Sequence, residues 1–126
     1  MIVIIEKINI ELENGSYNIQ PPKIDISCFE TVSLQSFYIE FSDSVKRNCL
    51  VDFSTQLIDR SIGNPNQIIG SEFLEKSTKF VWCNFSSDAQ EYKIQCQSLE
   101  ESLFQVRLTD QTERKIKNIR IVLKFE

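Results

Sequence analysis

The feature that most restricts this chain is a strict two-residue alternation near its C-terminal end. Ile119, Ile121, Leu123 and Phe125 alternate with Arg120, Val122, Lys124 and Glu126. Successive side chains of an extended strand point to opposite faces. The segment therefore has one apolar and one mostly charged face, as in an antiparallel sheet packed on one side. The same pattern recurs upstream in Phe37, Ile39 and Phe41, in Cys49, Val51 and Phe53, in Tyr92, Ile94 and Cys96, and in Phe104, Val106 and Leu108. Ile8, Ile10 and Leu12 alternate with Lys7, Asn9 and Glu11 and are expected to face inward, before the turn residues Glu13-Asn14-Gly15-Ser16. Ile24, Ile26 and Cys28 follow Pro21-Pro22, a pair that marks an extended entry rather than a central strand. Val81, Cys83 and Phe85 alternate with Phe80, Trp82 and Asn84, so both faces of that strand can be covered.

These segments amount to about eight strands at sandwich-like spacing. They predict an all-β, antiparallel β-sandwich of jelly-roll type, with an immunoglobulin-like sandwich as the alternative. A single domain over residues 1–126 is expected from the length. Residues 61–76 interrupt the strands. Ser61-Ile62-Gly63-Asn64-Pro65-Asn66-Gln67 reads as a loop, and Ser71 to Lys76 as a short helix. The polar run Asp110 to Lys115 separates the last two strands, which then form a hairpin or belong to different sheets.

Composition removes most chemistry. With 41% apolar and 25% charged residues the chain has a globular balance, and its length suffices for one core without metal or disulfide support. A net charge of −4 supplies no field for nucleic acid, which is not expected as a partner. No apolar run approaches the roughly 18–20 residues of a membrane span. The run Ile2 to Ile5 is too short for a signal-peptide core, so synthesis and retention in the cytoplasm are expected unless an assembly carries the protein elsewhere. The absence of histidine excludes serine–histidine and cysteine–histidine dyads. Gly15, Gly63 and Gly70 are too scattered for a phosphate-cradling loop. Asp43, Asp52, Asp59, Asp88 and Asp110 fall mostly at turns and strand ends, where aspartate usually binds its own backbone. No enzyme activity, cofactor or small-molecule substrate is expected. Cys28, Cys49, Cys83 and Cys96 show no CxxC spacing, which argues against a metal site and for small apolar thiols. The sequons Asn14-Gly15-Ser16 and Asn84-Phe85-Ser86 have no meaning without export.

Two clusters remain. Arg114, Lys115, Lys117 and Arg120 could form a patch for phosphates or lipid headgroups, but a solvated turn followed by an outward strand face is the better reading. Among the aromatics, one member of each pair Phe37/Tyr38 and Val81/Trp82 must face away from the core. Tyr38 and Trp82 are therefore candidate interface residues. The opposing reading puts Trp82 in the core, beneath the 61–76 excursion.

The segments Tyr92 to Cys96, Phe104 to Asp110 and Ile119 to Glu126 resemble the last strands of small jelly-roll capsid proteins. These are the penton and minor capsid class of tailless double-stranded DNA viruses, virophages and related elements. There, a strand ending near Leu-Thr-Asp, here Leu108-Thr109-Asp110, is followed by a short turn and a closing strand. The resemblance covers residues 92–126 only. It implies a virion structural subunit that assembles in the host cell with copies of itself and other shell proteins, without catalysis. The alternative is an intracellular, cytoplasmic β-sandwich module for a protein or lipid partner, similar to the C2 type, although its calcium form needs clustered loop aspartates and here they are isolated.

With scattered cysteines and no export signal, all four thiols are expected to alkylate in the unfolded, unreduced protein. A disulfide found by mass mapping, or stoichiometric zinc, contradicts this.

Overall fold

The structure, a computed structural model, describes every residue except 86, 87 and 111. Among the described residues the chain forms ten strands, most of them from the alternating segments. They are β1 (Ile2–Ile10), β2 (Leu12–Glu13), β3 (Ser16–Ile19), β4 (Thr31–Phe41), β5 (Cys49–Thr55), β6 (Ile68–Leu74), β7 (Phe80–Asn84), β8 (Glu91–Lys93), β9 (Phe104–Leu108) and β10 (Ile116–Phe125). One sheet has the order β1-β10-β4-β7, with β8 also pairing with β4, and the other the order β2-β3-β9-β5-β6. Every strand pairing is antiparallel.

The chain crosses repeatedly between the sheets: β1 and β4 in the first, β3 between them in the second, β5 and β6 in the second, β7 back in the first, then β9 and β10 one in each. This wrapped order is a jelly roll. An immunoglobulin-like sandwich keeps its first two strands in one sheet, whereas β1 and β3 lie in different ones. The last two long strands are likewise in different sheets, so they are no hairpin.

The inward faces meet in one hydrophobic core. From β10 it takes Ile116, Ile119, Ile121, Leu123 and Phe125, each at most 2% exposed. Ile116 and Ile119 both face inward despite their three-residue spacing because a register shift against β4 falls between Ile116 and Asn118. A second shift, between Val122 and Leu123, does the same for Leu34 and Phe37 of β4. Phe37 then meets Phe53 of the opposite sheet with ring centroids 4.2 Å apart. Gly70 of β6 permits a close sheet approach: a Cβ there would lie 2.6 Å from Leu34 Cδ2.

Four local expectations need correction. Asn9 adopts a left-handed φ of 52°, which breaks the alternation. Ile8 therefore points outward, while Ile10 and Leu12 rest against the core. The expected helix at 71–76 is mostly strand β6, because β5 offers it a full ladder of backbone partners and a one-turn helix has little stability of its own. Residues 24–28 form no strand: Asp25 makes an isolated bridge to Ser98, and its carboxylate caps a turn by accepting from Ser27 N–H at 2.9 Å. Ile26 is buried and Cys28 exposed. The outer face of β7 is not covered, since Phe80 and Trp82 are both exposed.

Deleting residues 119–126 removes Ile119, Ile121, Leu123 and Phe125 from the core. Burying each contributes about 1.5–3 kcal/mol, so the loss matches the roughly 5–15 kcal/mol stability of a typical domain. Circular dichroism should show no cooperative melt for the truncated chain. A sharp transition near the full-length temperature contradicts the role given to β10.

Candidate functional site

Register brings together on the outer face of the first sheet residues that are distant in sequence. Glu6 of β1 pairs with Arg120 of β10, Arg120 with Tyr38 of β4, and Tyr38 with Trp82 of β7. The four form one row across the sheet. On one side of it runs the row Ile8, Asn118, Glu40 and Phe80; on the other, Ile4, Val122, Ser36 and Asn84. Both candidate interface residues of the sequence thus lie on this face as direct cross-strand neighbours. Trp82 is 67% exposed and Tyr38 half-buried. The 61–76 segment borders the second sheet, so it does not cover Trp82.

A shallow hollow of about 420 Å³ is lined by Ser36, Phe37, Tyr38, Phe80, Trp82 and Arg120. The charges around it are tied to one another. Arg120 Nε lies 3.4 Å from Glu6 Oε1, Lys117 Nζ 3.7 Å from Glu40 Oε2, and Asn118 Nδ2 donates to Glu40 Oε1 at 3.0 Å. Among the described residues the aromatic groups have no comparable polar or charged partner within the sheet, and Phe80 is 65% exposed. Sequence reasoning missed Phe80, although its parity with Trp82 gave the signal. It placed Arg120 outward without its aromatic neighbour, because adjacency across strands requires the register.

The basic cluster does not hold together. Arg114 is buried, with Nη2 2.9 Å from Asp110 Oδ2 and side chains at most 1% exposed on both partners, so the reading of a solvated turn fails for it. Lys115 pairs with Glu11. Asp110 is a structural hub. Its Oδ2 also accepts from Lys46 N–H at 2.8 Å, and its Oδ1 from the Thr112 hydroxyl at 2.7 Å. Tyr17 of β3 donates to the Arg114 carbonyl at 2.9 Å. Burial alone would raise the Asp110 pKa, but the bonds from Thr112 and Lys46 and the Arg114 charge outweigh it and hold the carboxyl well below its ordinary value.

The thiols are separate from one another. Cys28 is exposed, Cys49 buried, and Cys83 and Cys96 half-buried. Burial and the adjacent Glu72 carboxylate, which accepts from Sγ at 3.0 Å, push the Cys83 thiol up to about 12, leaving it protonated and unreactive at neutral pH. Among the described residues no three metal-ligating side chains converge, and no helix is long and apolar enough to cross a membrane.

No protein-family model matches the chain, and no curated protein sequence matches it. Solved structures resemble it distantly. A capsid structure of Helicobacter pylori bacteriophage KHP30 aligns with 100% of this chain and 94% of its own at 12% identity and a TM-score of 0.44. The structure of tomato aspermy virus aligns with 99% and 76% at 11% identity and a TM-score of 0.38. The CBM36-1 domain of a multidomain xylanase from the hindgut metagenome of Trinervitermes trinervoides aligns with 96% of each chain at 8% identity and a TM-score of 0.45. The jelly-roll assignment rests on the strand order of this chain itself.

Asp110→Ala strands the buried Arg114 cation, and breaking such a pair costs about 3–5 kcal/mol. Chemical denaturation should show that loss at neutral pH. Because the folded carboxyl titrates below its ordinary value of 3.8, its contribution is complete above that value and declines as the pH falls further. The wild-type and Asp110→Ala stabilities should therefore converge in strong acid. A constant gap contradicts the assignment.

Proposed function

We propose that this chain is a structural subunit of a virion, a penton or minor capsid component. It assembles in the host cell with copies of itself and other shell proteins through the outer face of the first sheet, and it performs no catalysis. The observation that carries this reading is the row Arg120, Tyr38 and Trp82, flanked by Phe80. Arginine, tyrosine and tryptophan are the residue types that dominate binding energy at protein interfaces, and contiguous exposed apolar surface usually marks a contact site. A jelly roll hosts many functions, so the fold alone does not select this one. The resemblance of residues 92–126 to small capsid proteins adds support from a different part of the chain.

The rival is a binding module for a protein or lipid partner. It is favoured by the same apolar groups, which would insert into a bilayer surface as readily as into a protein pocket.

Native mass spectrometry of the full chain separates the two. The shell reading expects a ring or larger oligomer. Trp82→Ser and Tyr38→Ser should change folding stability by about 1 kcal/mol or less, since they remove only cross-strand contacts. Each should weaken assembly by roughly 30-fold, the scale of a 2 kcal/mol interface residue. A monomer that binds liposomes, or variants that assemble as well as the wild type, contradicts the proposal.

A further inference from the structure

The far edge of β1 carries a row of unclaimed backbone hydrogen-bonding groups. Met1 and Phe125 exchange two bonds: Phe125 N–H donates to the Met1 carbonyl at 2.8 Å, and the Met1 amino group to the Phe125 carbonyl at 2.8 Å. From there the β1–β10 register runs unshifted to the pair Ile8 and Asn118. Hydrogen-bonded and non-hydrogen-bonded pairs alternate along an antiparallel ladder. Val3, Ile5 and Lys7 therefore turn their N–H and C=O groups toward β10, while Ile2, Ile4, Glu6 and Ile8 turn theirs away. Among the described residues β10 is the only strand paired with β1.

Natural proteins usually guard such an edge with proline, a bulge, a charge-rich face or a short strand. Over residues 2–8 this edge has no proline and no bulge, and its two charges are Glu6 on the outward face and Lys7 on the core-side parity. Three of its four outward side chains are isoleucines, exposed by 55% at Ile2, 47% at Ile4 and 67% at Ile8.

We propose that this edge pairs with β1 of a second copy of the chain, antiparallel about a two-fold axis at Ile4, joining the two first sheets edge to edge. A two-fold contact is self-complementary, and the chemistry of the edge selects its register. Centring on Glu6 would oppose two carboxylates, which is unfavourable for directly paired residues. Centring on Ile5 would set Glu6 beside the partner's Ile4 and Val122. Centring on Ile4 opposes Ile4 to the partner's Ile4 and Ile2 to the partner's Glu6. Lys124 neighbours Ile2 and Arg120 neighbours Glu6 within each sheet, so each Glu6 keeps its own Arg120 on one side and faces the partner's Ile2 on the other, with the partner's Lys124 one strand further on. Three facing pairs exchange roughly six backbone hydrogen bonds, and on the core side Val3 continues into the partner's Ile5. The contact lies at the opposite end of the sheet from Trp82, so it does not rest on the aromatic face.

The test is sedimentation velocity of the full chain over a wide concentration range, with residue-resolved amide exchange at both extremes. The wild type should dimerise, and the Ile4 amide should slow with concentration while Val3 and Ile5 stay protected throughout. Ile4→Pro removes an N–H that points away from β10, a position where a strand tolerates proline. Ile4→Lys keeps that N–H but sets two cations at the axis. Each variant, with its melt checked against the wild type, should raise the dimer Kd by at least about tenfold. A monomer at every concentration with a fast Ile4 amide overturns the proposal. So does a dimer that survives both variants but is lost in Trp82→Ser, and so does an Ile4 amide that slows only when a different shell protein is added.

Discussion

The insertion of β10 between β1 and β4 is the constraint on which the rest of the molecule depends. It joins residues from the two ends of the chain in one sheet, and it supplies five fully inward side chains to the core. Without it, β1 has no partner and the first sheet is reduced to β4 with β7 and β8. The Asp110–Arg114 pair sits where the chain leaves β9 in one sheet and enters β10 in the other. Its carboxylate also fixes the β4–β5 connection through Lys46, and the Arg114 carbonyl receives Tyr17 from β3. A buried ion pair adds little net stability. Its use here is positional, because it holds three segments where β10 must begin its pairing.

The strand pattern was legible because alternation reports burial directly. Phe37, Ile39, Phe41, Val51, Phe53, Val106 and the β10 residues face inward as their parity requires. Parity failed where one backbone conformation changed the phase, as at Asn9 for Ile8. It also failed where tertiary pairing overrode local preference, as in β6. Arg114 was misread because a charged residue in a polar run resembles a solvated turn, and only the fold buries it against Asp110 and brings Lys46 to the same carboxylate. The outward parity of Tyr38 and Trp82 could be read from one strand at a time. Their adjacency, and the places of Arg120 and Phe80 beside them, follow from the register of β10, β4 and β7, which no local pattern encodes.

The two sides of the first sheet differ in how their side chains are satisfied. Inward, packing is dense enough to bury every large apolar group of β10 and most of β4. Outward, charges pair with one another across β1, β10 and β4, while the aromatic groups near β7 remain in water. An exposed tryptophan contributes little to a lone chain and much to a contact that desolvates it. That asymmetry is the physical basis of the proposal that this face makes contacts in an assembly.

The chain contains one tryptophan, and it lies on that face at the β7 edge, beside Tyr38. Quenching of Trp82 fluorescence by a soluble quencher, in the dilute chain and in its assembled form, therefore reads the central claim without altering the protein. The account predicts red-shifted, readily quenched emission when dilute, and a blue shift with strong protection on assembly. Emission already protected in the dilute chain, or equally quenched in the assembly, would contradict it.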